Sequence, residues 1–347
     1  MPKSLTRTVT AFARRRDLLP RQSLQHGLTM VELLVAMVIG LLISLAAISA
    51  LLISRQGFSA VDASSQLRDN GRFVADLIQR LGVQSGFKDA TYAATPPPPV
   101  LSGLPTNPDP NVMGFNNALL DATNPLTAFT ARVAGVDGYG SDILILRYQP
   151  AETFPGSGVT DRSMIDCAGV ASAIPAINRY DRVPSILHVD VSTGEPSLMC
   201  TTLNAATGVF STQPIIRGVE NFQVLYGVDG VVASAAPTGA ADTVPDSYLR
   251  ADQLTVAGNA VATNDNWRRV RSIRVGMVIR GPLYSAQERT IQTYYPLGPA
   301  RSAVGAAVGS AMSSVSDPGT EFTPSTNDGR LRQVVTFTVH LRNEQGL

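Results

Sequence analysis

Residues 27–53 read GLTMVELLVAMVIGLLISLAAISALLI. From Leu33 to Ile53 there is no charge for 21 residues, and at ~1.5 Å rise per residue a helix of that length covers roughly the ~30 Å hydrocarbon core of a bilayer. The segment is long enough to span a membrane. Glu32 stands just inside its start, where an ionised carboxylate costs on the order of 2.5–3.5 kcal/mol on insertion scales. Such a residue needs a partner, and the residues before it suggest one. A cut after Gly27 would free an α-amine on Leu28, four positions ahead of Glu32. Within one helix that amine is rigidly placed about a turn away. A neighbouring copy shifted along the axis brings its own amine to the carboxylate more freely, and each charge relieves the other's burial. Pairing of this kind stacks helices in register.

The chain has 347 residues and a formal net charge of +1. If the first 27 are a leader, the remainder suits one membrane helix and one moderately large domain, or two small ones. The leader is basic: Lys3, Arg7, Arg14, Arg15, Arg16 and Arg21 stand against Asp17. That asymmetry holds the N-terminus in the cytoplasm and sends everything after Ile53 outward. An ordinary cleaved secretory signal fits less well, because the apolar run is longer than a normal h-region and no small-x-small site follows it. An uncut signal anchor fits the hydropathy equally well. Only the arrangement from Gly27 to Glu32 argues against it.

Beyond the membrane the helical pattern continues. Phe58, Val61, Phe73, Val74, Leu77, Ile78 and Leu81 recur at three- and four-residue spacing with Asp62, Arg68, Asp69, Arg72, Asp76 and Arg80 between them. Residues 54–82 are therefore read as an amphipathic helix half, bent or frayed at Gly57 and Gly71 and stopped by Gly82 to Gly86. A separate stalk or coiled coil would need a sustained heptad, which is not there. Residues 87–140 are rich in Pro, Gly, Asn and Ala, and Thr95-Pro96-Pro97-Pro98-Pro99 reads as a polyproline surface spacer. Strand-like alternation then dominates, in Ser141–Gln149, Val183–Val191, Pro196–Thr201, Ile215–Val228, Ile273–Ile279 and from Val335 to Leu341. It predicts antiparallel strands with one buried face turned to the amphipathic helix half. Ala233–Ala262 and Gly298–Arg330 read as loops.

Cys167 and Cys200 both fall in the exported part, where two thiols in one small domain are expected to pair as a structural disulfide. Two sulfurs without nearby His ligands complete no metal site. Little else carries chemistry. His26 lies in the leader, and His188 and His340 lie in predicted strands away from any Ser or Cys motif. There is no nucleophile elbow, zinc-protease helix, phosphate loop or EF-hand loop. Asp161, Asp166 and Asp181 lack the spacing of a calcium loop and read as turn residues. No cofactor and no enzymatic activity are expected. Arg268, Arg269, Arg271, Arg274 and Arg280 follow or flank Trp267 and could meet a nucleic-acid backbone. The nearly neutral overall charge favours instead the outer face of a strand or the lip of a subunit interface.

The N-terminal pattern resembles the class III signal of type IV prepilins: a basic leader, Gly27, an apolar first mature residue, Glu at the fifth mature position and an uninterrupted apolar helix. Leu28 stands where that family most often has Phe. GRFVADLIQRLGVQSGF after the helix, GVENFQVLYGVDG, NWRRVRSIRVGMVIRG and VVTFTVHLRNEQG follow in an order that resembles the PilW minor pilins. The resemblance implies cleavage between Gly27 and Leu28 by a prepilin peptidase, methylation of the Leu28 amine, and assembly and register set by Glu32. It implies an α+β pilin-like fold: leader 1–27, transmembrane and assembly helix 28–53, amphipathic helix half 54–82, and a β-rich head 83–347 on an antiparallel sheet. It further implies a low-abundance pilin that helps prime pilus assembly at or near the fibre tip and is stored beforehand in the inner membrane. The implied partners are other minor pilins, the major pilin, the inner-membrane assembly platform and a tip adhesin. Two other readings stay open: a J-type minor pseudopilin of a type II secretion system, and a membrane-tethered adhesin whose helix is only an anchor.

Overall fold

The computed structural model describes residues 27–94, 105–127, 129–204, 206–286, 290–298, 319–343 and 345. Residues 1–26, which hold the basic stretch read as a leader and His26, the proline run at 95–99 and much of the stretch 298–330 lie outside the described residues. The chain divides into two units, with the boundary between Arg55 and Gln56.

The first unit is occupied by the start of α1 (Met30–Gln84). Its residues from Leu33 to Ile53 are exposed on every side, and the helix is long and apolar enough to cross a membrane. The polar atoms in that run are satisfied within the helix. The Ser44 and Ser49 hydroxyls donate to the carbonyls of Gly40 and Leu45, both at 2.8 Å, which removes the cost of taking a free hydroxyl into hydrocarbon.

In the second unit α1 turns one face inward, burying Ala63, Leu67, Gly71, Val74, Ile78, Leu81 and Gly82. Neither Gly57 nor Gly71 interrupts the helix. Gly71 and Gly82 are contact points: a Cβ would stand 2.8 Å from Val335 Cγ2 at Gly71 and 2.6 Å from Val339 Cγ1 at Gly82. The missing side chains let the helix lie close on the last strand. The helix ends at Gln84, and Gly86 takes φ +78°, a left-handed turn that glycine adopts without steric cost. The Asn343 amide donates to the Val83 and Ser85 carbonyls at 2.9 and 3.1 Å, so the chain's last residues cap its long helix.

Eleven strands follow among the described residues: β1 (Val112–Phe115), β2 (Ala118–Leu120), β3 (Phe129–Ala131), β4 (Ile143–Tyr148), β5 (Val183–Ser192), β6 (Glu195–Asn204), β7 (Val209–Arg217), β8 (Val219–Val228), β9 (Ser247–Leu249), β10 (Val270–Arg280) and β11 (Arg332–His340). One sheet runs β1-β4-β5-β6-β7, a second runs β11-β10-β8-β9, and β2-β3 form a hairpin. Every pairing is antiparallel. Leu67, Val74, Ile78 and Leu81 of α1 share one core with Leu144, Leu187, Leu198, Phe222, Val224, Ile273, Val275 and Val339. The long helix thus packs on an antiparallel β head.

The single buried face expected for the strands holds for β11, where Thr336, Thr338 and His340 are exposed and Val339 is buried. It fails for β4 and β8, which are buried at every position. Their second faces are roofed by short elements. The hairpin side of the first sheet gathers Ala118, Ile143, Ile145 and Ile186, while Leu297 and Tyr248 close over Leu225. The stretch 87–140 holds α2 (Ala90–Ala94) and β1 to β3. Within 233–262, read from sequence as a loop, lie β9, a 3-10 turn (Asp252–Leu254) and the start of α3 (Ala260–Arg268). The last is capped by the Asn259 side chain, which accepts from the Ala262 amide at 3.0 Å.

Candidate functional site

The helix start is built around Thr29. Its backbone N–H and hydroxyl both donate to Glu32 Oε2 at 3.1 Å, and the Glu32 amide donates back to Thr29 Oγ1 at 3.3 Å. The Leu33 amide closes the first turn on the Thr29 carbonyl at 3.2 Å. This is a reciprocal capping box, with Thr29 as N-cap and Glu32 at the third helical position. A carboxylate there also meets the positive end of the helix dipole. Glu32 therefore has a local partner within its own chain, besides any amine that meets it from a neighbour. Sequence reading named Gly27, Leu28 and Glu32 and passed over Thr29, although T-x-x-E ahead of an apolar run is a legible capping signal. Gly27 and Leu28 precede the helix and are exposed; among the described residues no heavy atom beyond the adjoining ones comes within 4 Å of a Cβ built at Gly27.

In the head, Cys167 and Cys200 are joined by a disulfide that ties the long loop after β4 to the buried middle of β6. The three aspartates of that loop cap turns. Asp161 accepts from the Ser163 amide and hydroxyl, Asp166 from the Ala168 and Val170 amides, and Asp181 from the Ile177 amide. Among the described residues no group of three or more His, Cys, Asp or Glu side chains could hold a metal ion.

The arginines after Trp267 are committed to structure. Arg268 pairs with Asp265 at 2.7 Å and donates to Asn107 and the Pro108 carbonyl. Arg269 holds the Gly239 carbonyl, Arg271 lies 3.5 Å from buried Asp229, and Arg280 binds Glu195 and Glu220. Trp267 itself is buried, edge-on to Tyr226 with ring centroids 4.7 Å apart. It offers no open ring for a base to stack on. His188 is likewise interior: its Nε2 lies 3.0 Å from Thr201 Oγ1, which in turn meets Thr212 Oγ1 at 2.7 Å. Burial pushes its pKa down to about 4, so it stays a neutral structural imidazole at ordinary pH. His340 is exposed on β11.

Two stretches of the chain match known families. Residues 187–343 match the model described as Type IV Pilus-assembly protein W, a span that runs from β5 through β11. Residues 22–48 match the prokaryotic N-terminal methylation motif, and Gly27, Leu28, Thr29 and Glu32 all fall inside it. Among solved structures the chain is similar to a type IV-like pilin from Thermus thermophilus, at 12% identity and a TM-score of 0.33, over 81% of this chain and 98% of that one. No curated protein matches.

Proposed function

We propose that this chain is a PilW-type minor pilin that takes part in priming type IV pilus assembly and sits at or near the fibre tip with other minor pilins. The observation that carries the reading is the coincidence of two independent matches on one chain: a methylation motif around Gly27 to Glu32 and a pilus-assembly model over the β head. In this reading residues 1–27 are removed by a prepilin peptidase, the Leu28 amine is methylated, and residues 28–53 hold the subunit in the inner membrane. The head then lies on the periplasmic side, and the same helix later enters the fibre core.

The capping box supplies a physical route between those states. In the anchored subunit Glu32 is relieved by hydrogen bonds from the Thr29 amide and hydroxyl, so the carboxylate need not wait unpartnered beside lipid. On incorporation the amine of a neighbouring Leu28 adds full charge to what hydrogen bonds had satisfied, and the copy that brings it is the one in register. The deciding experiment is intact-mass and N-terminal analysis of the protein from purified fibres. A chain that begins at methylated Leu28 supports the reading. A chain that still begins at Met1 in cells with working pili overturns it. Deletion separates the pilus from a secretion machine, since the first loses surface fibres and the second loses release of exported proteins.

A further inference from the structure

The disulfide between the long loop and β6 also shapes a cleft that the assembly reading does not use. Thr202 pairs with Ser185 of β5 and Ser211 of β7, while Cys200 pairs with Leu187 and Gln213. Residues two apart on a strand share a face, so Thr202, Ser211 and Gln213 stand on the face where Cys200 holds the loop. Residues 166–174, stapled there, wall a cleft of about 300 Å³ together with β6 and β7. Its strand side is polar and idle. Among the described residues the Thr202 and Ser211 hydroxyls and the Gln213 amide make no hydrogen bond, although Thr202 is only 7% exposed. Asp166 accepts the Ala168 and Val170 amides on Oδ1 and has no partner among the described residues on Oδ2. Tyr148, paired with the lining residue Val183, is buried with a hydroxyl that Asp166 and the Ser172 backbone act on without meeting it in hydrogen-bond geometry. The loop side is apolar, with Val170, Ile174 and three alanines. Asp166 carries the only charge among the described lining residues. Ala205, next to hairpin residues that line the cleft, lies outside the described residues and brings no polar side chain.

We infer that this cleft binds a neutral saccharide, one pyranose ring with its hydroxyls turned to the strands and a C–H face turned to the loop. Hydroxyls and a carboxamide that both donate and accept are the groups that exchange hydrogen bonds with ring hydroxyls. Directly opposed, Thr202 and Ser211 hold their Cβ atoms about 4.5–5.5 Å apart, and Gln213 follows roughly 7 Å further along β7. A rigid ring meets all three at once, where a flexible chain would lose conformational freedom to do so. With no cation in the lining, a phosphate, sulfate or carboxylate finds no counter-charge. Burial pushes the Asp166 carboxyl up, against the two amides on Oδ1, which suits an uncharged ligand better than an ammonium. The volume lies at the small end of ligand pockets, as a single ring requires. The inference uses the head alone and does not rest on fibre assembly.

Saturation-transfer NMR on the full chain in lipid nanodiscs, free of sugar detergents, tests this with the methyl glycosides of glucose, galactose and N-acetylglucosamine as probes. Transfer to the ring protons of at least one probe is the expected result, with affinity falling roughly tenfold in Thr202→Val and in Gln213→Ala. Ser211 and Gln213 are exposed, so Ser211→Ala and Gln213→Ala read the site whether or not Thr202→Val folds. No transfer to any of the three glycosides overturns the inference, and so does transfer that these variants leave unchanged. Tighter binding of glucose 6-phosphate than of methyl glucoside would make the cleft an anion site. Tighter binding of glucosamine would make Asp166 a cation ligand. Either outcome overturns the neutral saccharide.

Discussion

Glu220 and Arg332 form a bidentate pair in the interior of the head: Nε meets Oε2 at 2.6 Å and Nη2 meets Oε1 at 3.0 Å, with side chains 7% and 5% exposed. The pair is one link of a closed ring. Glu220 also binds Arg280 at 3.0 Å, Arg280 binds Glu195 at 2.7 Å, and Glu195 binds Arg330 at 2.9 Å. Arg330 and Arg332 both reach Asp328, at 3.6 and 2.7 Å. Three cations and three anions alternate, so no member is left facing a like charge alone. The ring stitches the start of β6 in one sheet to β8, β10 and β11 in the other.

Removing one member leaves its two partners, largely buried, with one counter-charge each instead of two, which costs more than the net worth of a single pair. Glu220→Ala is expected to destabilise the head by about 3 kcal/mol, since two guanidinium groups lose their shared acceptor. Glu195→Ala, at a carboxylate 31% exposed, should cost visibly less because water can replace it. Denaturant melts of the full chain in detergent check the order. Equal losses at the two positions would mean that the ring contributes no more than a surface network.

His188 gives the head a pH dependence of known sign. Its folded pKa is depressed to about 4, chiefly by burial, with Asp190 opposing and Arg132 adding to the shift. Unfolded, the same imidazole titrates near 6.5. As pH falls between these values the unfolded chain takes up a proton that the folded head refuses, so stability present above pH 6.5 is progressively lost. The loss at pH 5 is on the order of 2 kcal/mol. Burial raises the pKa values of Glu195 and Asp328, but their arginine partners outweigh it and hold both below the ordinary value. Stability measured from pH 7 to pH 5 should therefore slope downward in the parent chain and less steeply in His188→Gln.

The parts of this architecture that were legible in sequence are those where one chemical pattern meets one neighbour. Leu67, Val74, Ile78 and Leu81 repeat at helical spacing because α1 buries a single stripe, and Val335, Phe337 and Val339 alternate because β11 lies under that stripe. Where a strand is covered twice, alternation misleads. Gln223 is polar and still buried, its amide donating to the Gly140 carbonyl. The short strands β1 to β3 have no pattern of their own and are held by distant groups. Arg132 donates to the Ala118 and Ser141 carbonyls, and Asp142 accepts the Asn117 and Val224 amides. In β7, Pro214 hides a strand that is paired along its length across a bulge. At the N-terminus, attention to the charge of Glu32 obscured Thr29, whose role depends on hydrogen bonding and not on hydropathy.

Gly114 and Tyr226 interlock tightly enough to test by a double-mutant cycle. A Cβ at Gly114 would stand 2.0 Å from Tyr226 Oη and 2.4 Å from the Ile143 carbonyl, while the Tyr226 hydroxyl is buried and has no hydrogen-bond partner among the described residues. Gly114→Ala should cost about 2–3 kcal/mol through overpacking. Tyr226→Phe removes a polar atom that is desolvated without return, so it should be neutral or slightly stabilising. In the double variant part of the alanine cost should be recovered, the carbonyl clash remaining. Strict additivity in denaturant melts would show that the strand shifts away from the ring without contacting it.

Glu32 caps the helix start through hydrogen bonds, and that role is separable from the one proposed for it in fibre register. As a capping residue it needs only an acceptor oxygen; as a register device it needs a charge. Glu32→Gln keeps an acceptor for the Thr29 hydroxyl and amide, so the first turn of α1 should remain protected while incorporation into fibres falls. Thr29→Val removes the N-cap hydroxyl, worth about 1 kcal/mol, and should speed exchange of the Glu32 amide roughly fivefold in reconstituted vesicles. Thr29→Ser should restore it. If the two functions were one, both variants would fray the helix start and both would lose fibres in proportion. The two are separable because Glu32 has its hydrogen bonds within the single chain, and what a neighbour would add in the proposed register role is charge. Normal piliation with Glu32→Gln would leave the carboxylate a local cap and nothing more.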